Sequence, residues 1–305
     1  MREILLKPYR KLVLVIKAAC FYFQEFSYFS KAKKKNIDPG LLIRKRAHHL
    51  ERILFHNNLY NKEFKENVVK ELEALLGNNL SLANEGYYKW ARRLLEEYKT
   101  GSFLQTCPNL LNHKAPLLDK EITIDNVLSL IRNRRTSRIF LNEPLTKEQR
   151  ENIVEAGLHA PSSCNRQTLS FIFIEDAKVK RFIASTVSGG KQFFASAPAL
   201  LVVISYAVDF RFPEERHAPW IESAASVENI LLACQAMGLG CCWGYYNSFG
   251  GMEKEREVRK ILEIPEEYVI TACLAIGKQG QNVCYIPRDN FKNRLFINKF
   301  KHQDE

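Results

Sequence analysis

Five consecutive residues near the middle of the chain combine positive charge with hydroxyl groups. Arg134, Arg135, Thr136, Ser137 and Arg138 offer guanidinium and hydroxyl donors that suit a phosphate group. Arg134 and Arg138 are four residues apart, so on a helix end both would point the same way. A solvated arginine cluster is the alternative, because cations also suit the negative end of a helix dipole. The elements around the stretch therefore decide whether it binds an anion.

A second polar cluster occupies residues 160–167, with the sequence Ala-Pro-Ser-Ser-Cys-Asn-Arg-Gln. Its small hydroxyls and amides stand where a backbone could approach a polar ligand, directly before an apolar strand predicted at residues 171–174. An ordinary turn is the alternative, since Pro, Ser and Asn favour turns on their own account. One predicted helix separates the two clusters, with a capping box at Thr146 and Gln149 and with Pro161 beyond its far end.

A third stretch joins a long helix to a strand through two glycines. Residues 219–237 have Pro at the start and apolar residues at helical spacing, and Gly238 stands beyond the end. The sequence then runs through Gly238-Leu239-Gly240 into a strand predicted at residues 241–246.

These three ordered motifs resemble the FMN-dependent nitroreductase family over about residues 121–290. In that family Arg-x-Ser/Thr-x-Arg/Lys and Pro-Ser-Ser-x-Asn-x-Gln segments hold the flavin, and the Gly-Leu-Gly stretch enters a strand beside the isoalloxazine. The resemblance implies an α+β fold with a central mixed β-sheet flanked by helices, and a homodimer with FMN at its interface. It also implies that NADH or NADPH reduces the flavin, which then reduces an electron-poor acceptor such as a nitro compound or quinone by a ping-pong mechanism.

The resemblance further assigns roles to single residues. It places the FMN phosphate on Arg134, Thr136 and Arg288, and Arg138 beside the ribityl chain or the O2 side of the ring. From the second cluster, Pro161, Ser162, Ser163 and Asn165 would contact the FMN of the opposite subunit. The complete implied set is Arg134, Arg135, Thr136, Arg138, Pro161, Ser162, Ser163, Asn165, Gln167, Trp243, Gly244 and Arg288.

The strand after the third motif would face the reactive part of the flavin. Backbone N–H groups around Trp243 and Gly244 would point at N5 and O4, with Gly244 allowing close approach. Trp243 could instead be a core aromatic. No catalytic side chain and no metal ligand is expected, because the flavin carries the chemistry.

The length of the chain predicts more than one folding unit. A chain of 305 residues favours two units. We predict a basic helical region at 1–100, a linker at 101–120 that contains Pro108 and Pro116, and the flavin-binding domain at 121–305. Within the first region, hydrophobic spacing predicts helices over 41–56, 62–76 and 81–99. Thr123 is predicted to cap a helix that carries Val127, Leu128 and Ile131 inward.

The positive charge is concentrated in the first part of the chain. Of the net charge of +11, residues 1–120 contribute +10, from 22 Lys/Arg and 12 Asp/Glu. The flavin-binding domain is therefore nearly neutral, and bulk charge does not support nucleic-acid binding by it. The eight cysteines form no C-x-x-C pair and stand mostly in apolar runs, which predicts reduced, buried thiols and a cytoplasmic location.

Residues 1–35 form a basic, aromatic-rich leader. No uninterrupted apolar stretch reaches the roughly 20 residues needed to span a bilayer. The leader could lie on an anionic membrane surface or pack its apolar face on the rest of the protein. This leaves two alternatives to an enzyme, a flavin-binding protein without turnover and an adaptor for membranes or acidic polymers.

Overall fold

The computed structural model of the protein describes residues 37–56, 59–103, 122–187, 190–208, 215–245, 251–281 and 286–300, together with Ile16 and Phe210. The basic leader, apart from Ile16, and residues 104–120 of the predicted linker lie outside the described residues. The adaptor hypothesis and the linker therefore stay predictions. Among the described helices, none has the length and apolar character required to cross a bilayer.

Within residues 37–56 and 59–103, the first unit contains the helices α1 (Pro39–Phe55), α2 (Lys62–Asn78) and α3 (Gly86–Thr100). Side-chain oxygens of Asp38 and Asn61 accept backbone N–H groups at the starts of α1 and α2. The third helix begins later than predicted, because a separate 3-10 turn, Leu80–Leu82, precedes it. The apolar faces of the three helices meet in a core of their own, which includes Ile43, Leu72 and Leu94.

The second unit consists of six helices and four strands within the described ranges. In chain order they are α4 (Ile124–Asn133), α5 (Lys147–Leu158), β1 (Leu169–Ile174), α6 (Ala177–Thr186), α7 (Lys191–Ser196), β2 (Ala199–Tyr206), α8 (Ala218–Ala236), β3 (Leu239–Tyr245), α9 (Gly251–Ile261) and β4 (Tyr268–Lys278).

Local sequence signals set several of these boundaries as predicted. The Thr123 hydroxyl accepts the Asn126 N–H at 3.2 Å at the start of α4. The capping box of α5 is confirmed, since Thr146 and Gln149 exchange bonds of 2.9 and 3.1 Å. Gly238 adopts φ +70° directly after α8, a conformation that glycine reaches without strain.

The four strands form one sheet in the order β1-β2-β4-β3, and every neighbouring pair is antiparallel. The α+β fold is confirmed. Parallel pairing, which the expected mixed sheet requires, is found in an isolated bridge between Thr136 and Cys241. Because β1 and β3 stand at the two ends of the strand order, they are the outer strands of this sheet.

Helices cover both faces of this sheet. α5 and α8 place Ile153, Val227 and Ile230 against one face, and Phe194 of α7 and Val258 of α9 lie against the other. All eight residues of β2 are buried. Its continuous apolar run at residues 200–204 is typical of a strand that is covered on both faces.

The prediction that α4 turns its apolar side inward is wrong. Val127 and Ile131 are 40% and 45% exposed, and no residue of α4 is buried. Leu128 and Leu130 are partly buried, but the described part of the chain leaves Val127 and Ile131 of the apolar face largely uncovered.

Candidate functional site

The cationic cluster, residues 134–138, lies in an extended segment and not on a helix. α4 ends at Asn133, and Arg134 has φ −60° and ψ 131°. Thr136 pairs with Cys241 of β3, and the Ser137 N–H donates to the Cys241 carbonyl at 3.1 Å. The prediction that Arg134 and Arg138 share a helix face is therefore wrong, because the outer strand β3 offers this backbone partners that a helix end does not.

Arg134 and Arg138 bring positive charge to the edge of β3. In the part of the chain that the structure describes, neither takes part in an ion pair with Asp or Glu. Burial raises the pKa of the Cys241 and Cys242 thiols, and the nearby charges of Arg134 and Arg138 respectively oppose this shift. These thiols are therefore protonated near neutral pH and unsuited to nucleophilic chemistry.

Arg135 has a local structural contact. Its guanidinium donates to the carbonyls of Arg132 and Arg134, the second at 2.8 Å, where α4 ends. This contact satisfies carbonyls left open by the helix end and directs Arg135 back toward α4.

Gly240 allows the cationic segment to lie against β3. A Cβ at this position would stand 2.6 Å from both Cβ and Oγ of Ser137, which is fully buried. The second glycine of the Gly-Leu-Gly motif is therefore required for the docking of residues 134–138. Sequence reasoning identified the motif but not this contact.

Trp243 and Gly244 occupy opposite faces of β3. Trp243 is 41% exposed, which excludes the alternative of a core aromatic. A Cβ at Gly244 would stand 2.5 Å from Phe194 and Val187, so core packing requires this glycine whether or not a flavin also approaches it. Since the Cys241 carbonyl points away from β4 to Ser137, strand alternation turns the Trp243 N–H outward and the Gly244 N–H toward β4.

The second cluster forms a turn with unusual backbone angles. Cys164, Asn165 and Gln167 all have positive φ, at 52°, 52° and 54°. Residues other than glycine adopt positive φ angles only at a cost in conformational free energy, so other contacts must hold the turn. Two are local, since the Ser162 Oγ accepts the Gln167 N–H at 3.1 Å and the Asn165 Oδ1 accepts the Gln167 Nε2 at 2.8 Å.

Arg166 anchors this turn from inside, and the sequence did not reveal it. Its side chain is 2% exposed and pairs with Glu215 at 2.7 Å. It also donates to the Ser163 Oγ at 3.1 Å, and its guanidinium lies 5.0 Å from the centre of the Phe210 ring. In the sequence, Arg166 occupies the variable position between Asn165 and Gln167, so no pattern distinguishes it from a solvated arginine.

Glu222 of α8 is the second inner anchor. Its carboxylate accepts the Ser163 N–H at 2.7 Å and the Thr168 hydroxyl at 3.2 Å. Burial raises the pKa of Glu222, and these two donors and Arg166 partly oppose that shift. A carboxylate at helical spacing with apolar residues was the signal in the sequence that could have indicated this buried acceptor.

The two clusters lie at opposite corners of the sheet within one chain. Thr136 pairs with Cys241 of β3, and Cys241 pairs with Ile276 near one end of β4. Thr168 bonds to Tyr206 of β2, and Tyr206 pairs with Tyr268 at the other end of β4. Eight residues of β4 and four interstrand spacings separate the two places, which gives roughly 30 Å. Arg134 and the turn at residues 161–167 therefore cannot contact one small ligand within a single chain.

The remaining predicted ligand residue lies in the described tail, residues 286–300. Arg288 is exposed, and so are Ile286, Phe291, Leu295 and Phe300 along the same segment. Among the described residues, no group of three His, Cys, Asp or Glu side chains is arranged to hold a metal ion.

Comparison with known proteins gives concordant matches over the second unit. A model of the nitroreductase family matches residues 131–192 and 187–278. The NADPH-flavin oxidoreductase of Vibrio harveyi is 30% identical over 175 residues, which are 54% of this chain and 70% of that protein. An NAD(P)H FMN reductase of Bacillus subtilis is 27% identical over 179 residues, again 54% of this chain and 70% of that protein.

Solved structures agree with these matches. The NADPH:FMN oxidoreductase of Vibrio harveyi in complex with NAD+ has a TM-score of 0.50 and 26% identity, and the alignment covers 59% of this chain and 80% of that one. The helices α1, α2 and α3 lie before the first residue that the family model matches.

Proposed function

The chain belongs to the nitroreductase family, and from this premise we propose that it is a homodimeric, FMN-dependent oxidoreductase that uses NAD(P)H. The names of its relatives support the cofactor and the donor, since they include an NADPH-flavin oxidoreductase and an FMN reductase. When bound, FMN accepts a hydride from the nicotinamide and delivers electrons to an organic acceptor at the same place, which gives ping-pong kinetics. The acceptor in this proposal is an electron-poor molecule such as a nitro compound or a quinone.

The observation that carries the proposal is the cationic edge of β3. Arg134 and Arg138 lack carboxylate partners in the described ranges and lie on either side of Thr136. Thr136 pairs with β3, the strand that carries the half-exposed Trp243. This combination fits a ligand with a dianionic tail and a flat ring. Arg134 and Thr136, with Arg288 from the tail, would hold the phosphate, while Arg135 keeps the end of α4 in place behind them.

The chemistry of the ring would be influenced by two groups of this chain. Arg138, beside the ribityl chain or the O2 side of the ring, would favour the reduced anionic flavin by its charge. The outward N–H of Trp243 would donate to the ring near N5 and O4. Gly244 would contribute through its packing on Phe194 and Val187, which keeps the strand close to the core.

A second chain would complete the site. Pro161, Ser162, Ser163, Asn165 and Gln167 lie roughly 30 Å from the cationic edge of their own chain, so they would contact the FMN of the opposite subunit. The exposed apolar face of α4 and the exposed apolar residues of the tail are surfaces that a dimer would cover. A monomer should therefore bind FMN poorly.

Spectroscopy of the purified protein tests this proposal. We expect flavin absorbance that copurifies with a dimer, and bleaching of that absorbance by NADH or NADPH under anaerobic conditions. Replacement of one charge-assisted contact in Arg134→Gln should weaken FMN binding about 10- to 100-fold. Arg181→Gln, an exposed position on α6, is the matched control and should bind FMN as the wild type does. A colourless protein that takes up no added FMN would overturn the proposal.

A further inference from the structure

The turn at residues 161–167 is held from a third side, by the helical unit that precedes the family domain. Arg44 of α1 donates from Nε to the backbone carbonyl of Arg166 at 3.1 Å. This carbonyl belongs to the residue between Asn165 and Gln167, both of which have positive φ. The contact therefore holds the backbone of the turn between two residues with strained conformations.

Arg44 is itself held in place by its own unit. Its guanidinium lies 3.9 Å from the carboxylate of Asp38 and 5.0 Å from the centre of the Tyr87 ring, and 13% of its side chain is exposed. Asp38 in turn accepts the backbone N–H groups of Gly40 and Leu41 at the start of α1. The donor that meets the turn is consequently oriented by two helices, α1 and α3.

An apolar contact joins the same two units beside this hydrogen bond. Leu41 of α1 is 1% exposed. It packs with Tyr206, the last residue of β2, and with Val208 just after this strand. Partly buried Ile37 and Tyr268 complete this cluster. Because Tyr206 also donates its N–H to the Thr168 carbonyl at 2.9 Å, the cluster lies against the last residue between the turn and β1.

We propose that the N-terminal helical unit is a positioning device for the flavin-binding turn, with Arg44 as its positioning residue. Removal of the Arg44 contact leaves the anchors Arg166 and Glu222 in place but takes one donor away from the carbonyl of Arg166. Residues 162–165 then sample other conformations. The FMN bound at the cationic edge of the opposite subunit consequently loses its contacts with these residues. This inference rests on the proposed function for its effect on FMN, and on the described contacts alone for its effect on the turn.

Two measurements on the full-length dimer test the contact. Arg44→Met keeps an unbranched apolar stem and removes the donor. We expect its FMN dissociation constant to rise about tenfold, and the amides of residues 162–167 to exchange hydrogen faster in the FMN-free protein. Arg46→Met is the matched control, since Arg46 pairs with Glu71 inside the helical unit and should leave both readouts unchanged. If Arg44→Met does not fold, Asp38→Asn keeps a capping oxygen but removes the charge that orients Arg44, and should give a smaller shift in the same direction.

The outcomes separate this inference from the proposed function. Wild-type affinity and wild-type exchange in Arg44→Met would overturn the positioning role, and so would equal losses in Arg44→Met and Arg46→Met. A wild-type protein that binds no FMN would remove the proposed function, but faster exchange of the turn in Arg44→Met alone would still support the positioning contact.

A mixed dimer tests the action across the subunits. If one chain carries Arg44→Met and the other Arg134→Gln, one of the two sites combines an intact cationic edge with an intact turn. We expect half of the sites to bind FMN with wild-type affinity, although both parent homodimers bind weakly. Uniformly weak binding in the mixed dimer would overturn the arrangement in which each turn serves the opposite subunit.

Discussion

Gly240→Ala should displace the cationic segment from β3. The new methyl carbon would stand 2.6 Å from Cβ and Oγ of Ser137, about 0.8 Å closer than ordinary van der Waals contact begins. Ser137 is fully buried, and its N–H bond to the Cys241 carbonyl, at 3.1 Å, holds the segment at the strand. The segment must move away as a whole, which lengthens this bond and shifts Thr136 and Arg134.

The expected magnitude follows from this overlap. Overpacking of a buried contact typically costs about 1 to 3 kcal/mol, and a weakened hydrogen bond adds about 1 kcal/mol. We therefore expect the free energy of unfolding to fall by roughly 2 to 4 kcal/mol in urea titrations followed by circular dichroism. FMN affinity should fall about tenfold in the folded variant, because one phosphate contact loses its geometry.

A double-mutant cycle isolates the cause. Ser137→Gly removes the atoms that the new methyl group meets, so the double variant Ser137→Gly, Gly240→Ala should recover stability, with a coupling energy of about 1 to 3 kcal/mol. Gly77→Ala in α2 is the control, since its Cβ would meet no atom within 4 Å. It should leave FMN binding unchanged and stabilise the helix by up to about 1 kcal/mol. Additive losses in the double variant, or wild-type stability in Gly240→Ala, would refute this account.

Three further perturbations address other parts of the chain. The pKa of His49 is lowered from 6.5 to about 4. Burial is the largest cause, and the nearby positive charges of Arg46, Lys45, His48 and Arg52 add to it. The unfolded chain therefore binds more protons between these two pH values. As the pH drops from 6.5 to 4, the free energy of unfolding should fall by about 1 to 2 kcal/mol, a figure already reduced for solvent screening. His49→Gln should remove this part of the loss in urea titrations, and an unaltered pH profile of the variant would contradict the prediction. Trp243→Leu, at a half-exposed position, should change stability by less than about 1 kcal/mol but reduce the quenching of protein fluorescence by FMN, whereas full quenching would argue against a flavin beside β3. Ile131→Arg on the exposed face of α4 should shift the dimer toward monomer in light scattering, while Ile261→Arg, at an equally exposed position on α9, should not; a stable Ile131→Arg dimer would place the interface elsewhere.

Short-range hydrogen bonding is the part of this fold that the sequence predicted best. The caps at Thr123 and Thr146 each involve residues no more than three positions apart, so their chemistry is complete within the local sequence. The continuous apolar run of β2 was equally informative, because only a strand covered on both faces tolerates it.

The arrangement of the candidate site was harder to predict from the sequence. The spacing of Arg134 and Arg138 suits a helix, but Thr136 pairs with Cys241, a residue more than a hundred positions away. Arg166 gave no signal at all, since its burial depends on Glu215 and Phe210, which reach it only in the folded chain. The packing contact of Gly244 gave no local signal for the same reason, because Phe194, which fills the space where a Gly244 side chain would stand, is 50 residues away in the chain.

By itself, the sequence determined the family motifs, the helix caps and the buried strand, since each depends on residues close together in the chain or on a regular apolar pattern. The tertiary structure alone decided that the two polar clusters lie at opposite corners of one sheet, that α4 exposes much of its apolar face, and that Arg44 reaches the turn at residues 161–167. The physical reason is that strand order and long-range packing depend on the total free energy of many distant contacts, and no local pattern encodes that sum.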